Sequence, residues 1–296
     1  MVCRHLDSPV HKAEAIESME AISVSKSYGG QQGVYTHASA QTGTDMTFSV
    51  FVPDHQPGEK LPVVWYLSGL TCSHANVTEK GEYREACARH GLIFVAPDTS
   101  PRGDDVPGDP DGTHYFGHAA GFYVDATQSP YAQHYTMRSY IEQELPELVA
   151  ENFPADMSRQ AMMGHSMGGH GALTIGLRNA DRFRSLSAFS PIASPMNSPW
   201  GRNALTKYLG PEEAAWRAYD ACALIADGAA EIDILVDQGT ADEAREEQLK
   251  PHLLQQACKA ANYPAQIRLQ DGYDHGYYFV STFMAEHLAW HAERLK

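Results

Sequence analysis

The stretch Gly164-His165-Ser166-Met167-Gly168 has the residue types of a nucleophilic serine held in a sharp turn. It follows the short apolar run Ala161-Met162-Met163 and precedes small residues, then aliphatic residues at helical spacing. A strand, a tight turn and a helix in this order form a nucleophile elbow, in which small neighbours allow the strained turn. Because the helix begins at the serine, free N–H groups are expected beside its hydroxyl.

A serine hydroxyl is a poor nucleophile at neutral pH, so it needs a general base and a group that orients that base. His275 lies directly after a predicted strand at 267–269, and Asp242 lies in the loop after a predicted strand at 232–236. Ser, Asp and His in this chain order match the α/β-hydrolase template. The sequence therefore predicts a catalytic triad of Ser166, Asp242 and His275.

Other residues compete for two of these roles. Asp237 and Asp274 are alternative acids, because one ends the strand that precedes Asp242 and the other is adjacent to His275. His165 and His170 flank the serine, but a side chain within the elbow cannot easily meet the serine Oγ. Lone Asp and His residues in loops also serve as turn or capping residues.

An oxyanion that forms during acyl transfer needs two N–H donors. One donor is expected at Met167, the residue after the nucleophile. The second is expected at Leu70, in the turn after a predicted strand at 63–67, where Gly69 provides backbone freedom.

Strands alternate with helices through most of the chain, which is typical of a mostly parallel sheet flanked by helices. The first segment, residues 21–52, instead indicates three antiparallel strands. The continuous apolar run at 63–67 indicates a strand buried on both faces, and further strands are expected at 92–96, 185–189 and 232–236. Ser166, Asp242, His275 and the Gly69-Leu70 turn each follow a strand, so they are expected at one edge of the sheet.

Three features of the helices and loops are also predicted. One helix is expected at 79–90, and a long helix at 135–152 is expected to kink or break at Pro146. The Gly-, Pro- and Asp-rich segment 99–130 contains several aromatic residues, which favours a packed loop beside a functional site. Residues 1–20 are expected to be a disordered or helical appendage to a single domain spanning 21–296.

Composition excludes several classes of function. The formal net charge is -15, with 22 basic against 37 acidic residues, which argues against binding to nucleic acid. No apolar run approaches the roughly 20 residues of a membrane-spanning helix, and the first 20 residues lack the apolar core of a secretory signal. The five cysteines have no C-x-x-C spacing, which favours reduced thiols in a cytoplasm. The 15 histidines show no metal-ligand pattern, so a metal is not expected.

Longer motifs resemble the S-formylglutathione hydrolase (esterase D) family over residues of about 28 to 294. The motifs that carry this resemblance surround the predicted site: Leu67-Ser68-Gly69-Leu70-Thr71-Cys72, Ala96-Pro97-Asp98-Thr99-Ser100-Pro101-Arg102-Gly103, Ala120-Gly121-Phe122-Tyr123-Val124-Asp125-Ala126-Thr127, Gly164-His165-Ser166-Met167-Gly168-Gly169-His170-Gly171-Ala172-Leu173, Pro199-Trp200-Gly201, Asp237-Gln238-Gly239 with Asp242, and Gly272-Tyr273-Asp274-His275.

The resemblance implies a cytoplasmic thioesterase, commonly a homodimer, that hydrolyses S-formylglutathione without a cofactor. Short acyl esters are expected as secondary substrates, because each methylene in a pocket changes discrimination by only about 1–3 kcal/mol. The family's triad and oxyanion donors map onto the residues already predicted. Its substrate pocket is expected to include Gly69, Cys72, Trp200 and Phe122, although Cys72 is equally a small buried hydrophobic residue and Trp200 equally a loop anchor.

Two departures from the family pattern stand out. The segment Tyr115-Phe116-Gly117-His118-Ala119-Ala120-Gly121 is bulkier than the family's usual sequence and is expected to reshape the pocket rim, and residues 1–20 have no family counterpart. Arg102 and Lys207 are candidates for binding the charges of glutathione. A broad carboxylesterase, a mycolyl-type acyltransferase and an inactive hydrolase fold used for binding are the alternative functions.

Overall fold

The computed structural model describes residues 19–296, and its centre is a nine-stranded sheet with the strand order β1-β2-β3-β5-β4-β6-β7-β8-β9. The strands are β1 (Glu20–Ser27), β2 (Gly30–Ser39), β3 (Thr44–Val52), β4 (Leu61–Leu67), β5 (Ile93–Pro97), β6 (Ala155–His165), β7 (Phe183–Phe189), β8 (Asp233–Gly239) and β9 (Ala265–Gln270).

The pairing directions divide the sheet into two parts. Strands β1, β2, β3 and β5 pair antiparallel in succession, as the sequence predicts for the first three. From β5 onward the pairs β5–β4, β4–β6, β6–β7, β7–β8 and β8–β9 are all parallel. Parallel strands end at the same edge, so the loops after β4, β6, β8 and β9 meet there.

Helices cover both faces of this sheet, and a separate cluster of buried apolar side chains lies on each face. The helices are α1 (His74–Lys80), α2 (Arg84–His90), α3 (Met137–Ser139), α4 (Leu145–Asn152), α5 (Met167–Arg178), α6 (Pro199–Leu209), α7 (Glu213–Trp216), α8 (Ala221–Ala226), α9 (Pro251–Ala261) and α10 (Tyr277–Arg294). The mostly parallel sheet with helices on both faces is the α/β-hydrolase fold predicted from the sequence.

The helix expected at 79–90 is wrong in its extent, because two short helices occupy this region. Helix α1 begins at His74, before the expected start, because Ser73 and Asn76 form a capping box there. It ends at Lys80. Glu82 then adopts a φ of 53°, a left-handed conformation that no α-helix continues through. The backbone reverses there and α2 begins at Arg84.

The helical region expected at 135–152 is present but irregular. The short helix α3 leads into a π-helical turn at Tyr140–Glu144, and α4 follows with Pro146 in its first turn. Proline lacks an N–H group, so it is best accommodated where that group has no helical partner. Helix α8, which the sequence did not predict, begins where the Asp220 side chain accepts the Ala223 N–H.

The N-terminal prediction lies almost entirely outside the described residues. Strand β1 begins at Glu20, and the side chain of Met19 already packs against the core. Among residues 19–296, no helix is both long enough and apolar enough to cross a membrane.

Candidate active site

The turn between β6 and α5 has the geometry of a nucleophile elbow. Ser166 adopts φ 59° and ψ −119°, and it is buried. A Cβ atom on Gly168 would lie 1.9 Å from the Leu67 carbonyl oxygen, and one on Gly164 would lie 2.3 Å from the Gly168 oxygen. Both positions therefore require glycine, because the turn packs directly against the end of β4.

A continuous hydrogen-bonded relay joins the three residues predicted as a triad. His275 Nε2 lies 2.9 Å from Ser166 Oγ, and His275 Nδ1 lies 2.6 Å from Asp242 Oδ2. An ionised carboxylate can only accept, so Nδ1 carries the hydrogen and Nε2 presents its lone pair to the serine hydroxyl. The arrangement can remove a proton from Ser166 as the oxygen attacks an electrophile.

The carboxyl group of Asp242 is held as an anion. Burial acts to raise its pKa, but the hydrogen bond and charge of His275, the Ala244 N–H and the Gln238 amide outweigh burial, and the pKa is lowered. The Ala244 N–H donates to Oδ1 at 2.9 Å, and Gln238 Nε2 donates to Oδ2 at 3.2 Å. Sequence reasoning missed Gln238, although its place between Asp237 and Gly239 at the end of β8 was a usable signal.

The two alternative acids have other partners. Asp237 is fully buried and receives hydrogen bonds from Arg268 Nε and Nη2, both at 2.6 Å, and from the buried His287 at 3.2 Å. The Asp274 side chain accepts the Gly276 N–H at 2.8 Å, just before α10. Neither contacts His275 by a hydrogen bond, so Asp242 is the acid that the structure brings to this histidine.

The two alternative bases also face away from the serine hydroxyl. His170 Nε2 pairs with the Phe122 carbonyl oxygen at 3.0 Å, and burial lowers the pKa of His170 to about 4. His165 is buried with its ring centroid 4.6 Å from that of His275, and neither ring nitrogen has a hydrogen-bond partner in residues 19–296. Burial, and next the charge of His275, lower the pKa of His165 to about 3. Its neutral ring therefore acts as a flat packing surface for His275.

The predicted oxyanion donors lie on either side of the serine. Met167 is the first residue of α5, and Leu70 follows Gly69, whose Cβ position lies 3.0 Å from the Ser166 Cβ. Within residues 19–296 neither the Leu70 nor the Met167 N–H donates to another group. Two unoccupied donors beside a nucleophilic hydroxyl suit an oxyanion.

The loop that carries Leu70 is fastened to the long aromatic loop 99–130. Thr71, with φ 64°, donates its N–H to the Ala119 oxygen at 3.0 Å, and Ser100 Oγ accepts the Ala119 N–H at 2.8 Å. Tyr123 Oη donates to the Ser68 carbonyl at 2.8 Å. The expectation of a packed loop beside the site is met, and the loop fixes the position of the Leu70 N–H.

The four predicted pocket residues differ in exposure. Gly69 lies against Ser166, and Trp200 is partly exposed and stacks on Tyr115, with ring centroids 4.9 Å apart. Phe122 is fully buried, so its ring belongs to the packed core under the loop rather than to an open pocket wall. Tyr115, which the sequence placed only within the bulky segment 115–121, is 43% exposed and covers one face of the Trp200 ring.

The Cys72 side chain is partly buried, and burial raises the pKa of its thiol. A raised pKa reduces the thiolate fraction on which redox reactivity depends. The structure therefore favours Cys72 as a small packing residue. In the described part of the chain, no group of three or more His, Cys, Asp or Glu side chains is placed to hold a metal ion.

Comparison with known proteins identifies the family of this chain. A family model described as a putative esterase matches residues 39–291. The chain is 49% identical to an S-formylglutathione hydrolase of Paracoccus denitrificans (strain Pd 1222), covering 93% of this chain and 98% of that protein. It is 45% identical to the mouse (Mus musculus) protein of the same name, with 94% and 99% covered. A solved S-formylglutathione hydrolase from Agrobacterium tumefaciens superposes with a TM-score of 0.91 at 54% identity, covering 93% of this chain and 99% of that one. The chain belongs to the S-formylglutathione hydrolase family of esterases.

Proposed function

We propose that this chain is a serine thioesterase that hydrolyses S-formylglutathione to formate and glutathione, with side activity on short-chain esters. The observation that carries this proposal is the relay from Ser166 through His275 to Asp242, with bonds of 2.9 and 2.6 Å. The relay lies beside two unoccupied N–H donors, and the relatives that match nearly the whole chain bear the name of this activity.

Acylation begins when Ser166 Oγ attacks the formyl carbonyl carbon and His275 Nε2 takes the hydroxyl proton. The oxyanion that forms accepts hydrogen bonds from the Leu70 and Met167 N–H groups. Asp242 stabilises the imidazolium through Nδ1–H without itself being protonated. The C–S bond then breaks and the departing glutathione sulfur takes the proton from His275 Nε2, so that His275 is neutral again and a formyl ester remains on Ser166.

Deacylation repeats these steps with water. His275 Nε2 takes a proton from the attacking water, and the same two N–H donors hold the second oxyanion. The ester bond then breaks, formate leaves, and the proton on His275 returns to Ser166 Oγ. A thiolate is a good leaving group, so acylation of a thioester needs less acid assistance than acylation of an amide.

We propose further that the enzyme removes formaldehyde captured by glutathione, that it acts in the cytoplasm and that it is a homodimer. Glutathione thioesters and reduced cysteines both fit a reducing compartment. The edge strand β1 supports the homodimer, because it has no second partner strand among residues 19–296 and its Ile22 and Val24 expose 59% and 50% of their surface there. Sedimentation of the wild-type protein and an Ile22→Lys variant measures this directly, and a monomeric wild type contradicts the homodimer.

The specificity constant kcat/KM tests the main proposal. We expect S-formylglutathione to exceed S-acetylglutathione and an aryl acetate by at least 10-fold, because a pocket shaped for the acyl hydrogen excludes the acetyl methyl group. Ser166→Ala should abolish all three activities. Equal constants for the three substrates, with Ser166 still essential, would instead indicate a broad carboxylesterase.

A further inference from the structure

A cleft of about 430 Å³ opens beside the oxyanion loop. This volume is within the range of small-molecule binding sites. Its lining combines the residue after Leu70 with side chains of the long loop; the polar and charged members are Thr71, Arg102, Asp109, Thr113, His114 and His118. The acidic member, Asp109, is neutralised by Lys207 at 2.9 Å. The cleft therefore adjoins the candidate active site through Thr71, which is bonded to Ala119 across the cleft floor.

Arg102 presents unused hydrogen-bond donors in this cleft. Its Nε and Nη2 donate to the buried carboxylate of Asp98 at 2.7 and 2.8 Å, and Nη2 also reaches the Cys72 oxygen at 3.2 Å. Nη1 has no hydrogen-bond partner in residues 19–296, although 43% of the Arg102 side chain is exposed. Asp98 thus fixes the guanidinium while its outer edge stays available for a carboxylate.

Two histidines add donors and acceptors near Arg102. His114 is exposed and its ring makes no hydrogen bond within the described residues. His118 Nε2 donates to the Val106 carbonyl at 3.0 Å, which leaves Nδ1 as an acceptor. By contrast, Lys207 is already paired with Asp109 and Asp111 at 2.9 and 2.8 Å, so its charge is not available.

We propose that this cleft is the subsite for the glutathionyl half of the substrate, with the Arg102 Nη1 edge binding a carboxylate and His114 reinforcing it. The inference rests on the proposed function. A protein with net charge -15 repels an anionic peptide thiol, and the charge of Arg102 would offset this repulsion within the cleft.

The spacing along the loop agrees with this assignment. Gly69 contacts the nucleophile, and consecutive Cα atoms are about 3.8 Å apart, so the Cα of Thr71 lies within about 8 Å of that of Gly69. A thioester sulfur held at Ser166 can therefore extend its peptide into the cleft. The formyl group stays at the oxyanion donors, so binding of the thiol half and reaction of the acyl half use separate residues.

The experiment compares kcat/KM for S-formylglutathione with kcat/KM for an aryl acetate, which lacks the glutathionyl half. Arg102→Gln should lower the ratio of the two constants about tenfold through a higher KM for the thioester, because a charge-assisted hydrogen bond is lost. His114→Glu should lower the ratio about fivefold, because the new carboxylate repels the carboxylate of the substrate. Since His114 is exposed, this variant tests the cleft even if Arg102→Gln fails to fold. Arg89→Gln makes the same charge change on the exposed face of α2 and should leave the ratio unchanged.

S-methylglutathione, which cannot be hydrolysed, provides an independent measure of binding as a competitive inhibitor of aryl acetate hydrolysis. Its inhibition constant should rise in both cleft variants and not in Arg89→Gln. Unchanged ratios and inhibition constants in Arg102→Gln and His114→Glu, with a wild type that prefers S-formylglutathione, would overturn the subsite alone. A wild type without that preference would overturn the proposed function itself.

Discussion

Two aspartate–histidine pairs with buried carboxylates arise from the end of β8 and the loop after it, and they have different roles. Asp242 pairs with His275, whose side chain is 32% exposed and whose second nitrogen meets Ser166. Asp237 pairs with His287, and both side chains of that pair are fully buried. Arg268 also bonds to Asp237 with two guanidinium nitrogens, whereas no arginine bonds to Asp242 among the described residues.

The difference shows that a short Asp–His contact alone does not indicate catalysis. Burial acts to raise the pKa of Asp237, but hydrogen bonds from His287 and Arg268 lower it to about 2. Burial lowers the pKa of His287 although Asp237 opposes this. The second nitrogen of His287, Nδ1, is buried without a partner in the described chain, so it reaches neither a nucleophile nor solvent. A relay needs a histidine that connects the carboxylate to a reacting group.

The largest expected contrast comes from replacing each histidine by glutamine. His275→Gln removes the general base and should lower kcat by about 10⁵- to 10⁶-fold, as loss of a triad histidine does in other serine hydrolases. His287→Gln should change kcat less than about threefold and lower the thermal unfolding midpoint. Steady-state assays give kcat and thermal unfolding gives the midpoint for each of the two variants. Comparable losses of kcat in both would mean that the buried histidine also takes part in the reaction.

Replacing each aspartate by asparagine should separate activity from stability. Asp242→Asn leaves the wrong tautomer of His275 facing Ser166, so kcat should fall about 10⁴-fold in a folded protein. Asp237→Asn leaves Arg268 without its buried counterion, and the free energy of unfolding should fall by about 2–3 kcal/mol, limited by the partial exposure of Arg268. Urea unfolding and kcat are measured on both variants. A fully active Asp242→Asn enzyme would show that another carboxylate orients His275.

A smaller contrast comes from the two glutamines that support the carboxylates. Gln238 donates to Asp242 Oδ2 at 3.2 Å, and Gln270 donates to Asp237 Oδ1 at 3.1 Å. Gln238→Leu should lower kcat about tenfold or less, because one hydrogen bond to a charged group is worth about 1.5–3 kcal/mol and Asp242 keeps its other donors. Gln270→Leu should leave kcat unchanged. Equal effects of the two substitutions on kcat would show that the carboxylates are coupled.

The sequence was sufficient to predict the sheet, the elbow and the three relay residues, because each depends on local patterns. Apolar runs, small residues around Ser166 and positions directly after strands are all visible in a single chain. Asp242 was preferred to Asp237 from its place further into the loop, but the contacts that occupy Asp237, with Arg268 from β9 and His287 from α10, were not visible locally. The stacking of Tyr115 on Trp200 likewise joins the long loop to the first turn of α6, which is distant in the sequence. The break after α1 was missed although Gly81, which caps α1, is a usual signal of a helix end; the positive φ at the next residue, Glu82, has no such signal.

Acid should reduce stability through the buried histidines His165 and His170 that flank Ser166. The folded-state pKa values of His165 and His170, about 3 and about 4, lie below the unfolded value of about 6.5. At pH values between the folded and unfolded pKa, the unfolded chain binds more protons than the folded protein. The free energy of unfolding is therefore at its full value above about pH 6.5 and falls as the pH decreases. At pH 5 each neutral histidine should reduce the free energy of unfolding by about 2 kcal/mol relative to pH 7.5.

Urea unfolding at both pH values measures this difference, and His170→Gln should remove about 2 kcal/mol of it. An unfolding free energy that is the same at pH 5 and 7.5 would mean that the histidines beside the nucleophile accept protons within the fold, in which case they could exchange protons with His275.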